Sequence, residues 1–460
     1  MRPRKTQMDG SGDLFRARLD QIINMDHALA RLADEIDWDW IDSELAGLFS
    51  EQGRPGTPTR YMIGLLLFKQ IYGLSDEAVC ERWVHDPYFQ HFTGETFFQH
   101  ALPHERSGLT HWRQRIGEKL ELLLQESLRV AHDLGALKKS DLGRVTVDTT
   151  VQPKNVTHPT DAKLMLKAIT ELGKLARQHG VRLRQSYVRV AKRAALMAGR
   201  YAHAKQFKRC NRELRFLRNR LGRVIRDIAR KIDGDVALEA TFAVPLGKAS
   251  QIRRQRQQQR GPKIYSWHAP ETECIGKGKA HRPYEFGVKA SIATTNRRCK
   301  GGQFILHSKS LPGNPGACPR AGHRPDPGDG HTLEEVVGET QTLTGRAIER
   351  AYADKGYRGH KTPKPTRVFL SGQKRGVHGA IKRELRRRSA IEAVIGHLKT
   401  DGHLGRNFLK GRQGDHANVV LSAVGHNFRL ILRWISALLR QILKAVFSVL
   451  WIEIRLNPAC

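Results

Sequence analysis

The stretch Val145–Thr150, with the sequence VTVDTT, decides the fold, because its strand pattern runs directly into an acid. Val145, Thr146 and Val147 are β-branched and favour an extended backbone, and Asp148 follows them. A carboxylate at a strand end lies where α/β proteins carry their chemistry. We therefore predict an α/β fold with a functional acid at this position.

A second strand pattern and a helix supply two more acids. Arg350–Ala353 leads into Asp354, and Glu392 lies in a helical segment from Arg383 to Lys399. Several carboxylates close together provide the hard oxygen ligands that divalent metal ions need, and a pair of such ions can drive phosphodiester cleavage. The three acids, with Asp148 as the first, therefore predict the site of a metal-dependent nuclease.

The helix that carries Glu392 also carries two cations on the same face. Arg388, Glu392 and Lys399 are four and seven residues apart, a spacing that places them together on a helix. The two cations could hold phosphates of a DNA strand. Each acid also has an ordinary interpretation, with the aspartates as turn formers and Glu392 as a surface partner of Arg388. Glu384, eight residues before Glu392, is a competing candidate on a similar face.

The charge of the chain indicates a polyanionic partner. It has 79 Lys and Arg against 45 Asp and Glu, a net charge of +34. Residues 161–260 hold 26 basic and 7 acidic residues, so this window alone carries 26 − 7 = +19. General solubility or anionic lipid would explain a basic protein, but the concentration of charge in one window favours nucleic acid. We expect DNA to be the partner.

Other sequence features exclude several classes of protein. The six cysteines are scattered without a CxxC pair, which gives no support to a zinc site or a disulfide framework. No secretory signal opens the chain and no GxxxxGK[ST] motif indicates ATP binding. The apolar run Val419–Leu456 is interrupted by arginines at helical spacing, so we predict a packing or partner helix and no membrane span. We expect a cytoplasmic protein.

Hydrophobic periodicity divides the chain into three predicted domains. An all-α N-terminal domain covers residues 1–140, an α/β domain covers 141–415, and a C-terminal helix covers 416–460 and serves packing or oligomerisation. A long basic helical insertion, about 163–260, interrupts the α/β domain. Further strands are predicted at 286–293, 303–308 and 367–370.

The N-terminal domain contains a helical hairpin that turns at Tyr72-Gly73-Leu74. Thr57-Pro58 is a start signal for its first helix and Ser75 for its second. Helix, glycine turn and helix are the outline of a DNA-binding helix-turn-helix, but also of an ordinary αα-hairpin. The sequence leaves both interpretations open.

The acid segments resemble those of a known family. Arg388-x3-Glu392-x6-Lys399 matches the last three members of the Tyr-x2-Arg-x3-Glu-x6-Lys signature of bacterial insertion-sequence DDE transposases. The segments around Asp148 and Asp354 are similar to the family's first two acid motifs. Leu404–Gly411, Lys277–His281 and Tyr284–Gly287 resemble the branch called insertion-sequence family five. The chain departs at the signature tyrosine, where it has Leu385.

The resemblance implies a fold and a mechanism. The family has an RNase H-like catalytic domain, uses two Mg2+ ions, for which Mn2+ can substitute, and acts on the terminal inverted repeats of its own element. Asp148, Asp354 and Glu392 would be the metal ligands, and the DNA strands would be cleaved and joined to target DNA through their 3′-OH ends. The DNA contacts it implies are Arg388, Lys399, Lys355, Tyr357, Arg406 and Asn407. A homodimer in the synaptic complex is also implied, since two DNA ends must meet.

Two other functions remain open at this point. A DNA-binding protein with a decayed catalytic site would have the same electrostatics, because phosphate attraction does not depend on catalysis. A metal-dependent nuclease without strand transfer would need the same residue types. The resemblance favours the transposase.

Overall fold

A computed structural model describes residues 17–49, 56–256, 259, 261–276, 283–313, 328–360, 362 and 365–456. The described residues form two compact units. The first takes the chain up to Pro153 and again from Lys289 onward, and the second takes Lys154–Val288.

The first unit begins with helices that form much of its core. In chain order they are α1 (Leu19–Ile22), α2 (Ala28–Glu35), α3 (Trp38–Leu45), α4 (Thr59–Tyr72), α5 (Asp76–His85), α6 (Pro87–Phe92), α7 (Gly108–Ile116) and α8 (Glu121–Asp133). Helix α4 is apolar around its whole circumference and buried from Tyr61 to Phe68, as expected of a helix at the centre of a core.

The hairpin of α4 and α5 turns where the sequence predicts. Gly73 ends α4 with a φ of 64°, which glycine adopts without strain, and the Ser75 hydroxyl caps α5. Helix α4 is enclosed by protein, and the exposed face of α5 carries Glu77 and Glu81. The same face of α5 also exposes Arg82, and the DNA-binding interpretation of this hairpin stays a prediction.

A six-stranded sheet follows the helices. Its strands are β1 (Arg144–Pro153), β2 (Glu273–Gly276), β3 (Tyr284–Thr295), β4 (Ile305–Leu311), β5 (Arg350–Ala353) and β6 (Arg367–Leu370). Their order is β2-β3-β1-β5-β6, with β4 paired to β3. Strands β1, β5 and β6 are parallel, and β3 is antiparallel to β4. The described residues thus form a mixed α/β structure, and β1 and β5 lie where the sequence predicts strands next to Asp148 and Asp354.

Four described helices complete the first unit after β4. They are α13 (Gly328–Thr344), α14 (Gly379–Arg387) and α15 (Ala390–Thr400), followed by the long α16 (Gly411–Leu456). Helix α16 packs against α4, α8 and β4. The side-chain amide of Asn427 donates to the Ser127 hydroxyl at 3.0 Å and to the Ile305 carbonyl at 2.9 Å. The predicted C-terminal helix is therefore, over its first half, part of the same core as the N-terminal helices, and those regions are not separate domains.

The second unit is a helical bundle with a core of its own. Its helices are α9 (Asp161–Gln178), α10 (Val188–His203), α11 (Phe207–Ile232) and α12 (Val236–Arg254). Helix α11 packs against the other three, and Leu172, Leu217, Leu221 and Phe242 are fully buried between them. The predicted basic insertion is thus a folded unit of four helices.

The predicted elements differ from the observed ones mainly at their ends. Strand β1 continues five residues beyond Asp148, so this acid lies within the strand. The predicted helix from Arg383 to Lys399 is broken at Arg388 and Ser389 into α14 and α15. The predicted connector Gln251–Arg260 begins as the last turn of α12. Local periodicity does not register these breaks, because the chain on both sides has helical spacing.

The described cysteines, Cys80, Cys210, Cys274 and Cys299, are buried and unbonded. Within the described part of the chain, no helix has both the length and the apolar character to cross a membrane.

A buried ion cluster joins three of the N-terminal helices. Asp76 on α5 lies 2.6 Å from Lys69 Nζ on α4 and receives two hydrogen bonds, at 2.9 and 2.6 Å, from Arg113 on α7. Burial alone would raise the pKa of Asp76, but the hydrogen bonds and charges of the two cations outweigh it and lower that pKa to about 2. A depressed carboxyl pKa stabilises the fold above the pKa of the unfolded chain.

We expect Asp76→Asn to lower the free energy of unfolding at pH 7 by about 3 kcal/mol, because it leaves two buried cations without their counter-ion. The difference from the parent should shrink as the pH falls from about 4 towards 2. Urea unfolding at several pH values measures it. Asp26→Asn, which removes the exposed partner of Arg31, is the control and should cost less than about 1 kcal/mol. Equal stability of the two variants would contradict the assignment.

Candidate active site

The register of two parallel strands brings the two aspartates together. Thr146 on β1 is paired with Tyr352 on β5. Two residues further along each strand, the same register sets Asp148 beside Asp354, where β5 has just ended. Side chains two residues apart point to the same face of a sheet, and neighbouring strands are about 4.8 Å apart. The pairing therefore places both carboxylates on the face that carries Tyr352.

Arg388 reaches the same place from the helical side. Its guanidinium Nη1 lies 3.6 Å from a carboxylate oxygen of Asp148. Arg388 forms the junction between α14 and α15, and its backbone N–H donates to the Leu385 carbonyl. Both side chains of the pair are mostly buried, at 15% and 20% exposure. The sequence predicted the Arg388 side chain on the face of Glu392, and the structure adds the ion pair with Asp148.

One helical turn before Arg388, Glu384 fastens α14 to the sheet. Its carboxylate lies 3.3 Å from Arg144 and 3.1 Å from Arg350 and accepts a hydrogen bond from the Tyr352 hydroxyl. These partners belong to β1 and β5, the strands that carry the aspartates. The Glu384 carboxylate, the competing acid in the sequence, is therefore already paired with protein side chains, and it has a structural role.

Glu392 completes the group of acids. It lies in the first turn of α15 with an exposed side chain, and Asp354 is exposed as well. Burial raises the pKa of Asp148 to about 6, against the opposing effects of the Thr149 amide and the Arg388 charge. Repulsion from Asp354 and Glu392 contributes to this raised pKa. Both acids are therefore near enough to Asp148 to act on its charge.

The carboxylates of Asp148, Asp354 and Glu392 are of the right chemical type to bind a divalent cation, but their side chains do not converge on one point in this structure. Carboxylates are the oxygen ligands that Mg2+ prefers, and a cation would relieve the repulsion between Asp148 and the other acids. At present Arg388 supplies the positive charge next to Asp148. Among the described residues, no three His, Cys, Asp or Glu side chains are gathered as a metal-binding group. Binding would require the exposed side chains of Asp354 and Glu392 to move inward.

Lys399 and Arg406 line a cavity beyond the C-terminal end of α15. Its volume is about 610 Å3, and its walls include Tyr72, His403 and Phe408 as well. The Arg406 guanidinium lies 5.6 Å from the centre of the Phe408 ring, and Phe408 is 64% exposed. Lys399 is seven residues after Glu392, which places the cavity about 10 Å along the same helix face. The two predicted DNA contacts thus share one basic, aromatic pocket.

Three other predicted DNA contacts are placed differently. The Tyr357 side chain is 1% exposed and belongs to the hydrophobic core. Asn407 is fully buried, and its amide donates to an Asp415 carboxylate oxygen at 2.7 Å. Neither side chain reaches the surface in this structure, so the prediction that Tyr357 and Asn407 contact DNA directly is wrong for this conformation. Lys355 is exposed beside Asp354 and remains available for one.

The sequence did not single out Phe408, Tyr72 or the two arginines that hold Glu384. Arg144 and Arg350 occupy equivalent positions at the start of the paired strands. Each of these arginines stands four residues before the aspartate of its strand, but this pattern can be recognised only when the pairing of the two strands is known. Single aromatic residues carry no such signal, since most are part of a core.

The raised pKa of Asp148 makes its charge a cost to folding. A carboxyl with a raised pKa stabilises the fold fully below its unfolded value, and that contribution is lost as the pH rises through the folded pKa of about 6. In EDTA at pH 7.5 we therefore expect Asp148→Asn to raise the free energy of unfolding, by up to about 3 kcal/mol. The gain should disappear below about pH 4. Denaturant titrations across this pH range provide the measurement.

Asp354→Asn, which removes the same charge from an exposed side chain, is the matched control and should change the free energy by less than about 1 kcal/mol. A destabilised Asp148→Asn protein at pH 7.5 would refute the expected sign.

Comparison with known proteins identifies the N-terminal part of the chain. Residues 17–115 match the family described as "Transposase domain (DUF772)". This segment runs from α1 into α7 and so covers the helical core before the sheet. No solved structure matches the chain.

A relative in Rhizobium meliloti, described as "Uncharacterized protein ORF8 in nfe locus", is 51% identical over 208 residues. The alignment covers 45% of this chain and 100% of that protein. At this identity over the relative's whole length, the chain belongs to the same family as the Rhizobium protein, and its N-terminal segment is a transposase domain.

Proposed function

We propose that this protein is a DDE transposase that cleaves DNA at the ends of its insertion sequence and joins the 3′-OH ends to target DNA. The observation that carries the proposal is the register of β1 and β5, which sets Asp148 beside Asp354 while Arg388 and Glu392 approach from the helices. The transposase domain at residues 17–115 supports the same conclusion independently, because it lies outside this site.

We propose an RNase H-like fold for the sheet and the helices that flank it. The support is topological: the two aspartates come from adjacent parallel strands at the centre of a mixed sheet, and the glutamate comes from a helix that follows β6. The interruption after β1 by a folded helical unit accounts for the 354 − 148 = 206 residues between the aspartates.

Asp148, Asp354 and Glu392 would hold two Mg2+ ions, or Mn2+ in their place. The ions would activate the attacking oxygen and stabilise charge on the leaving oxygen. Arg388 would exchange its contact with Asp148 for a phosphate of the bound strand, since the guanidinium fits a phosphate as well as a carboxylate. Lys399 and Arg406 would hold the strand further along α15, with Lys355 on the opposite side beside Asp354.

The proposed partners are the terminal inverted repeats and target DNA, with a homodimer in the synaptic complex. The finer placement in insertion-sequence family five rests on the Arg388-x3-Glu392-x6-Lys399 spacing. Leu385 is half-buried on α14, so it cannot replace the phosphate contact of the signature tyrosine. A residue with that role would have to come from another segment.

The decisive experiment compares the parent with Glu392→Gln on a labelled duplex that carries the element's terminal repeat, in Mg2+ or in EDTA. Loss of a metal ligand should reduce Mg2+-dependent cleavage at least about 100-fold, since even residues that only support a ligand contribute 10- to 100-fold. Binding in EDTA should be retained, because Glu392 is not a cation and repels phosphate.

Glu349→Gln is the matched control, because Glu349 is an exposed acid on the same unit, just before β5. It should cleave like the parent. If the parent and Glu392→Gln bind equally, with the same sensitivity to salt, and neither cleaves, the protein is instead a DNA-binding protein whose catalytic site has decayed. Cleavage without joining to a second duplex would show a nuclease.

Cleavage should also depend on pH below neutrality. A proton on Asp148 competes with a metal ion for the carboxylate, and the pKa of this group in the free protein is raised to about 6. We expect the cleavage rate to rise as the pH increases, with a midpoint at or below pH 6 because the metal favours the ionised form. The midpoint of this pH dependence should move to lower pH as the Mg2+ concentration increases, and cleavage rates at several Mg2+ concentrations measure it. A rate that does not change between pH 5 and 7 would contradict this role for Asp148.

A further inference from the structure

One face of α11 carries a continuous basic stripe. Its members are exposed and follow one another by steps of three or four residues: Lys208, Arg212, Arg215, Asn219, Arg223, Arg226 and Arg230. At about 100° per residue, all seven fall within an arc of about 80°. We call these seven residues the basic stripe. It contains six cations and no acid.

The basic stripe lies opposite the buried face of the same helix. Leu217, Leu221 and Ile228 are fully buried in the core of the second unit, and they project about 180° from the middle of the stripe. The stripe therefore points away from the bundle into solvent. Packing against α9, α10 and α12 holds the helix that displays it.

The buried acid of α11, Asp227, does little to neutralise the stripe. Asp227 is buried, accepts a hydrogen bond from the Arg184 amide at 2.8 Å and pairs with Lys231 at 3.3 Å. Its distance to Arg230 is 3.8 Å, at the limit of an ion pair, and Arg230 remains 69% exposed. An ordinary exposed helix alternates acids and bases, which stabilise it as pairs. Here neighbouring cations repel one another, and a polyanion would relieve that repulsion.

The length of the basic stripe matches one turn of DNA. From Lys208 to Arg230 there are 22 residues, or about 33 Å at 1.5 Å per residue, and one turn of B-DNA is about 34 Å. A duplex carries one phosphate charge for about every 1.7 Å of its axis. Six cations in a line of this length can therefore each meet a phosphate.

We propose that the basic stripe binds the phosphate backbone of duplex DNA over about one helical turn, without regard to sequence. Phosphate contacts orient a duplex but carry no base information, and the six cations of the stripe recur along about one turn of DNA, as phosphates do. The partner is thus a duplex of any sequence. This inference rests on the proposed function, in which target DNA is such a duplex. Recognition of the element's ends must come from other surfaces.

The test measures binding of the full-length protein to a random-sequence duplex in EDTA, from 50 to 200 mM salt, so that it does not depend on catalysis. If the six cations supply all the phosphate contacts, the parent should lose about 10^3-fold in affinity over this range. The triple variant Arg212→Gln, Arg215→Gln, Arg226→Gln should lose only about 40-fold, because three fewer counter-ions are released. Its affinity should fall equally for duplexes of unrelated sequence.

A matched triple variant, Lys174→Gln, Arg177→Gln, Arg254→Gln, removes three exposed charges from α9 and α12 of the same unit. It should keep the salt dependence of the parent. Circular dichroism should show all three proteins folded, since the substituted side chains are exposed. Equal effects of both triples would reduce the stripe to general electrostatics, and an effect only on single-stranded or RNA competitors would overturn the assignment to duplex DNA.

Discussion

The parallel pairing of β1 with β5 is the constraint on which the candidate site depends. These strands are 206 residues apart at their acids, 354 − 148, yet a shift of one residue in their register would turn one aspartate to the opposite face. Glu384 secures this register from above the sheet, because it pairs with Arg144 and Arg350, which are themselves register partners. The same contact fixes the position of α14, and Arg388 follows it by one turn.

The charges at the site are balanced for a protein without bound metal. Arg388 lies against Asp148, the acid whose pKa burial raises, and the other two carboxylates stay exposed. A partly buried cluster of three ionised acids would be costly without a counter-charge. Because a guanidinium fits a phosphate as well as a carboxylate, the DNA binding that we propose would free Asp148 from Arg388.

The acids of the site were predictable because each depends on a local pattern. The β-branched run before Asp148 is visible in the sequence, as are the short strand before Asp354 and the helical spacing of Arg388, Glu392 and Lys399. What depended on distant contacts was not visible. Tyr357 and Asn407 stand next to polar loop residues, and only the folded chain shows that they are buried. The N-terminal helices and the sheet share one core because α16 packs against both. From the sequence alone, the apolar face of α16 could equally have packed against another subunit.

The path of α16 has a consequence for the order of folding during synthesis. The core of the first unit is completed by residues of α16 such as Asn427. Its side chain donates hydrogen bonds to Ser127 and Ile305, which precede it in the chain by 300 and 122 residues. The second unit has its own core and is complete once Val288 has been made. Domains fold as units while the chain emerges from the ribosome. The bundle that carries the basic stripe can therefore form while the aspartates still await the last helix, so the proposed DNA-binding surface would be complete on the ribosome before the proposed catalytic site.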